Sequence, residues 1–195
     1  MPPILWSNTL NLYEKYKLGL PYHDFLKRHG TDVHQARWKQ VHEQVALTAN
    51  QKTLLQSFTR TMPALCLAGA WCGDCVNQCP IFEHFAAATP TIQIHYLDRD
   101  EHADVQQALQ VCGGNRVPVV VFFSEDGFEA ARCGDRTLSK YRKMMDEQAG
   151  ANCPTGITTG KDPLLAQVTQ DWLDEFERVQ WMLRLSSRLR KIHND

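Results

Sequence analysis

The run from Ala64 to Ala70 is continuously apolar and is ended at once by Trp71-Cys72-Gly73-Asp74-Cys75, and no other feature limits the fold of this chain so closely. A short apolar run of that kind reads as a strand buried on both faces. The segment after it, with Val76, Ile81, Phe82, Phe85 and Ala86 apolar as far as Thr89-Pro90, has helical spacing. The two cysteines therefore stand where a buried strand turns into a helix, with Cys72 at the helix N-terminus. Unpaired backbone N–H groups and the positive end of the helix dipole there stabilise a thiolate, the nucleophilic form of cysteine. The spacing predicts that Cys72 attacks a disulfide and that Cys75, one turn into the helix and more buried, resolves the mixed disulfide. Gly73 permits a tight turn and leaves Cys72 open to a partner's backbone, while Trp71 covers the flank of the pair.

Further along, the pattern predicts a second strand over Thr91 to Leu97 and a helix over Asp104 to Val111 that stops at Gly113-Gly114. A strand over Val119 to Phe123 then turns at Glu125-Asp126-Gly127 into Phe128 to Cys133, and Leu138 to Met145 forms a closing helix. The order βαβαββα predicts a mixed sheet, with crossovers joining parallel strands, an antiparallel hairpin at the edge and helices on both faces. Ahead of this unit, Leu10 to Val45 reads as short helices broken at Gly19-Leu20-Pro21 and at Gly30. Thr31 and Asp32 cap a helix carrying Val33, Val41 and Val45, and Thr48 with Gln51 has capping-box spacing. Behind it, Ala149 to Asp162 reads as a loop before a long helix with Leu165, Val168, Trp172, Phe176, Val179 and Leu183 apolar. That stripe suits packing within the chain or pairing with a second copy, which leaves monomer and homodimer both open.

Composition narrows the functions. A formal net charge of -1 supplies no field that would draw the chain to nucleic acid or an anionic membrane. No stretch approaches the roughly eighteen consecutive apolar residues of a membrane span, and Met1 to Leu10 lacks the pattern of a secretory leader. Seven cysteines, an odd number, cannot all pair within one chain, which argues against a secreted disulfide framework. The expected setting is cytoplasmic, with no nucleic-acid or membrane partner. The chain has no nucleophile elbow, no closely spaced histidine pair near the cysteines, and no phosphate loop at Gly113-Gly114.

Ala70-Trp71-Cys72-Gly73-Asp74-Cys75, with Pro80 following, resembles the active site and kinked first helix of the thioredoxin family. Arg116-Val117-Pro118 resembles that family's cis-proline loop, and Gly134 stands where the family has a glycine bordering the substrate groove. The motif aspartate and the run Gly113 to Pro118 look most like a bacterial group with W-C-G-D-C centres. The resemblance implies an α/β fold, a thioredoxin-like αβα sandwich with a mixed central sheet over residues 48–147. An N-terminal helical extension (1–47) and a loop with a long C-terminal helix packing on the domain (148–195) would complete it. It further implies a thiol-disulfide oxidoreductase that reduces protein disulfides, with Cys72 and Cys75 catalytic and Trp71, Gly73, Asp74 and Pro118 in support. Val117, Cys133 and Gly134 would line the groove, with the Val117 backbone pairing with a substrate peptide as an added strand. Disulfide-containing proteins and a thioredoxin-reductase-type electron donor are the implied partners. No bound cofactor is expected, because the dithiol itself carries the two electrons.

The sequence departs from the family where thioredoxins have a buried aspartate, here Cys66, and near a family lysine, here Ile94. Water, His95 or Asp98 are left as proton routes. Asp74 replaces the common proline, and a carboxylate beside Cys72 is expected to disfavour the thiolate and make the pair more reducing. Cys72, Cys75, Cys79 and Pro80 also reproduce the end of a ferredoxin-type ligand run, with Gly69 in place of its first cysteine. A metal or iron-sulfur protein, with a fourth ligand from Cys112, Cys133 or His84, is therefore one alternative, and a non-catalytic binding module of the same fold is another. The plainer reading of Cys79 is a small buried residue of the helix.

Overall fold

The structure is a computed structural model that describes residues 10–149 and 164–195. The first residue of the loop expected over Ala149 to Asp162 is instead the last of helix α7 (Leu138–Ala149), and the rest of that loop lies outside the described residues, as does the Met1 to Leu10 segment before its last.

Four strands, β1 (Met62–Ala68), β2 (Ile92–Asp98), β3 (Val119–Phe123) and β4 (Glu129–Gly134), form one sheet in the order β2-β1-β3-β4. Every position of β1 is buried, as its apolar run requires. It pairs parallel with β2, Cys66 beside Tyr96, and antiparallel with β3, Cys66 beside Val120. The hairpin of β3 and β4 is antiparallel and sets Val119 beside Gly134. The direction of β3 differs from the parallel crossover that the element order implies. The linking helix α6 (Ala103–Ala108) has six residues, about 9 Å at the helical rise. A return along β2 would need about 23 Å. The chain therefore stays at the end of the sheet where β2 finishes, and β3 starts back from there.

Strand alternation sends Cys66, Tyr96, Val120 and Phe122 to one side of the sheet and Leu65, His95 and Val121 to the other. The first side is covered by α5 (Gly73–Ala88) and α8 (Leu164–Leu185). Phe176 of α8 sits among Phe82, Phe85 and Phe122, with ring centroids 5.9, 5.3 and 4.9 Å away. The stripe Trp172, Phe176, Val179 and Leu183 is thus buried within the chain's own core and is not a face offered to a second copy. At the β2 margin, α2 (Tyr22–His29) and α3 (Asp32–Gln44) add Tyr22, Phe25 and Trp38 to the same core. The opposite side carries α1 (Leu12–Leu18), where Tyr16 stacks on His95 at 4.5 Å.

The expected capping box of Thr48 with Gln51 forms at α4 (Ala49–Gln56), and the expected Thr31 cap of α3 is also a capping box, with His34 as its partner. The inner face of α3 is another matter: Val33 is 59% exposed, and the residue buried outright is Trp38. The C-terminal helix α8 ends at Leu185, and Ser186 caps a separate α9 (Ser187–His193) by accepting from the Leu189 N–H. Among the described residues, no helix is long and apolar enough to cross a membrane.

Candidate active site

Cys72 is the N-cap of α5, with extended backbone and a half-buried side chain. Its side chain makes no capping hydrogen bond, and the unpaired N–H groups of the first turn favour charge on its sulfur. Across the gap the Cys72 thiol donates to the Val117 carbonyl at 3.6 Å, and the Val117-Pro118 peptide is cis. Cys75 is fully buried one turn on, where its sulfur accepts from the Gly69 N–H at 3.5 Å. The two thiols are neighbours and titrate as a pair. The interaction with Cys75, followed by burial, opposes a second charge on Cys72 once Cys75 has lost its proton. Burial opposes charge on Cys75, and the Gly69 N–H offsets part of that cost. The pair therefore resists losing its second proton.

The surrounding residues are arranged as follows. Trp71 is 44% exposed, lies over Gly69 and donates its indole N–H to Asp100 at 3.2 Å, with the Arg99 guanidinium 4.6 Å from its ring. It flanks the site and is not a core residue. A Cβ on Gly73 would meet nothing within 4 Å, and its φ is ordinary, so this glycine supplies open space more than a turn. A Cβ on Gly134 would come 2.7 Å from the Pro118 carbonyl, which only glycine allows. Asp74 is paired with Arg136 at 2.7 Å. The charge expected to repel a Cys72 thiolate is therefore compensated. Cys133 precedes Gly134 on β4 and so faces the other way, toward α8, where its thiol donates to Glu175 at 3.3 Å. Burial, reinforced by Glu175, pushes it up to about 12. Cys72, Cys75, Val117, Pro118 and Gly134 are brought together, whereas the Cys133 sulfur is turned toward α8.

Of the proton routes, His95 is on the far side of the sheet, with Nδ1 3.1 Å from the Tyr16 carbonyl. Asp98 uses Oδ1 to accept from the N–H groups of Asp100 and Glu101. Among the described residues, no three His, Cys, Asp or Glu side chains converge as metal ligands would. Cys79 is turned instead toward Cys66, and His84 toward the His42 carbonyl.

Three residues that brace the motif carry no local mark in the sequence. Trp38 donates its indole N–H to the Ala70 carbonyl at 2.8 Å. Gln78 donates to the carbonyls of Asp74 and Asp135 and accepts from the indole of Trp172. Arg136 holds Asp74.

A family model for thioredoxin matches residues 19–149. Among solved structures, the 1.5 Å crystal structure of a protein of unknown function from Pseudomonas aeruginosa has a TM-score of 0.69 at 13% identity, covering 88% of this chain and 97% of its own. An HIV epitope-scaffold has a TM-score of 0.60 at 17% identity, covering 95% of this chain and 99% of its own. Fasciola hepatica thioredoxin is 24% identical, with a TM-score of 0.34 and coverage of 51% and 91%. No curated protein matches the chain. At these identities the solved structures speak only for the fold. The family model takes in the cysteine pair, the cis-proline loop and Gly134, and with two thirds of the sequence inside it this chain belongs to the thioredoxin family.

Proposed function

We propose that the chain is a thiol-disulfide oxidoreductase that reduces protein disulfides by cycling Cys72 and Cys75 between dithiol and disulfide. What supports this most is the position of Cys72, half-exposed at the start of α5 with a buried partner thiol behind it and the Val117 carbonyl 3.6 Å away. The Cys72 thiolate attacks one sulfur of the substrate disulfide. That bond breaks, and the departing sulfur takes a proton from water. Cys75 then gives its proton to water and, as the thiolate, attacks the Cys72 sulfur of the mixed disulfide and expels the second substrate thiolate. Two electrons have passed to the substrate and a Cys72–Cys75 disulfide remains, which a thioredoxin-reductase-type donor returns to the dithiol.

The substrate backbone runs along Val117, whose N–H takes part in no hydrogen bond among the described residues. Pro118 and Gly134 keep that approach flat, Gly73 leaves room above Cys72, and Trp71 borders the groove. A reducing cytoplasmic setting suits this direction of electron flow. The test is to equilibrate metal-free protein in dithiothreitol buffers of graded potential, alkylate the free thiols and map the protected cysteines. Cys72 and Cys75 are expected to become protected together in one two-electron transition at roughly -270 mV. Failure of the pair to form reversibly, or protection that needs added metal and includes Cys79, would overturn the reading. Retained partner binding without disulfide turnover would mark a binding module instead.

A further inference from the structure

A cavity of about 360 Å³ opens between the end of β4 and the face of α8, room for one long side chain at the lower end of the range of ligand pockets. Two of its wall residues also belong to the groove over Cys72. Gly134 lies against the Pro118 carbonyl, and Arg136 is paired with Asp74, two residues beyond Cys72. The far wall is acidic, made by Asp171, Asp174 and Glu175 of α8. Asp171 accepts from the Ser139 N–H with Oδ2, Asp174 from the Gln170 amide with Oδ1, and Glu175 from Arg178 and the Cys133 thiol with Oε2. Among the described residues the other oxygen of each carboxylate has no hydrogen bond, and neither aspartate has an ion pair. Arg136, the cation of the wall, is engaged by Asp74 and Asp135.

Thr137 sets this place apart from an ordinary acidic surface. It opens α7, its carbonyl accepting from the Tyr141 N–H at 3.0 Å, and it is 9% exposed. A threonine hydroxyl in that position ordinarily caps the helix. Here Asp171 holds the Ser139 N–H instead, at 2.8 Å. The Thr137 hydroxyl, on the cavity wall, is left buried with no partner among the described residues. A buried polar group in that state costs stability until a ligand supplies the missing partner.

We propose that this cavity is a specificity pocket for an arginine side chain of the substrate, carried by a residue flanking the cysteine that Cys72 attacks. The inference rests on the chain being a disulfide reductase. Among the described residues the carboxylates do not converge as ligands of a metal ion would, so a cation whose donors are spread out suits them better. A guanidinium presents five N–H donors in a planar fork, and it meets the unused carboxylate oxygens and the Thr137 hydroxyl together. Trp172 and Leu138 give its methylene stem an apolar surface. A lysine ammonium is a point charge and reaches fewer of those acceptors. No bond forms or breaks in the cavity; binding there holds the substrate disulfide over Cys72.

The test compares disulfide-linked peptides that differ in the residues flanking the cysteine, which are arginine, lysine or citrulline, the last an uncharged analogue of arginine. Each kcat/KM is divided by the rate of the same peptide with dithiothreitol, which removes the peptide's own reactivity. The value for arginine is expected to be about fivefold that for citrulline, with lysine between them. Asp171→Asn combined with Asp174→Asn, which keeps an acceptor for Ser139, is expected to bring that ratio below about twofold. Thr137→Val is expected to lower it by about half. Glu177→Gln, which removes a charge of α8 outside the cavity wall, is expected to leave it unchanged. Titrating 15N-labelled protein with Nα-acetyl-arginine amide reads the cavity without disulfide chemistry. Saturable shifts are expected at the Thr137 and Ser139 N–H groups, and none with the citrulline amide. Equal reduction of the arginine and citrulline peptides, or a preference that the paired asparagine variant keeps, would overturn the proposal and leave the reductase reading standing. If no peptide is reduced, the reductase reading fails, and the titration alone then upholds or overturns the arginine pocket.

Discussion

Two buried tryptophans, one from each end of the chain, brace the helix that carries the cysteines, and they do so by different means. Trp38 of α3 donates to the backbone carbonyl of Ala70, two residues ahead of Cys72. Trp172 of α8 donates to the Gln78 side chain and sets its ring edge-on to Phe82 at 4.7 Å. Gln78 passes that grip to the carbonyls of Asp74 and Asp135, tying α5 to the segment after β4. The N-terminal brace thus fixes the backbone entering the nucleophile, and the C-terminal one fixes the helix against its core. A single hydrogen bond serves the first task, whereas the second takes aromatic bulk.

The difference can be tested by substitution, and the largest effect is expected at the C-terminal brace. Trp172→Ala removes the ring beside Phe82 and strips Gln78 of its donor, and is expected to cost about 3–5 kcal/mol in urea unfolding. The rate at which iodoacetamide labels Cys72 in the remaining folded protein is expected to stay the same. Trp38→Phe keeps an aromatic ring and orphans the Ala70 carbonyl, a loss of about 1–3 kcal/mol. Here the labelling rate of Cys72 is expected to change, and an unchanged rate would erase the distinction between the two braces.

The smallest effect concerns pH. His42 of α3 lies against His84 of α5 with ring centroids 4.2 Å apart, and burial, followed by repulsion from His84 and His23, lowers its pKa. A lowered folded value means that the folded state binds fewer protons than the unfolded one. This contribution to stability is therefore complete above about pH 6.5 and is lost as the pH falls toward the folded value. Acid is thus expected to loosen the α3 brace and spare the α8 brace. The melting temperature of His42→Gln is expected to fall less between pH 7 and pH 5 than that of the parent, and an equal fall would place the acid sensitivity elsewhere.

The cysteine part of the site was legible because its residues are neighbours in the chain. A buried strand running straight into Cys72 puts that residue at a helix start, whereas Arg116-Val117-Pro118 was marked as the facing loop by its resemblance to the thioredoxin family. The capping box at Thr48 needs only a spacing of three residues to be read, whereas the one at Thr31 closes on His34 and shows in the sequence only as a cap. Val33 misled because a helical pattern shows which residues are apolar but not which stripe meets a neighbour, and α3 turns Trp38 inward. The direction of β3 misled because a crossover is inferred from element order, while the length of α6 decides whether the chain can make one.

The sequence by itself determined the strand-to-helix junction, the cysteine pair on it and the order of the elements, since each depends on local periodicity and on backbone groups a few residues apart. Only the tertiary structure decided what surrounds the sulfurs. Arg136 reaches Asp74 across 62 residues, Trp38 reaches Ala70 across 32, and Cys66 reaches Cys79 across 13. Those meetings follow from how helices seat on the two faces of the sheet, which depends on packing the whole core at once.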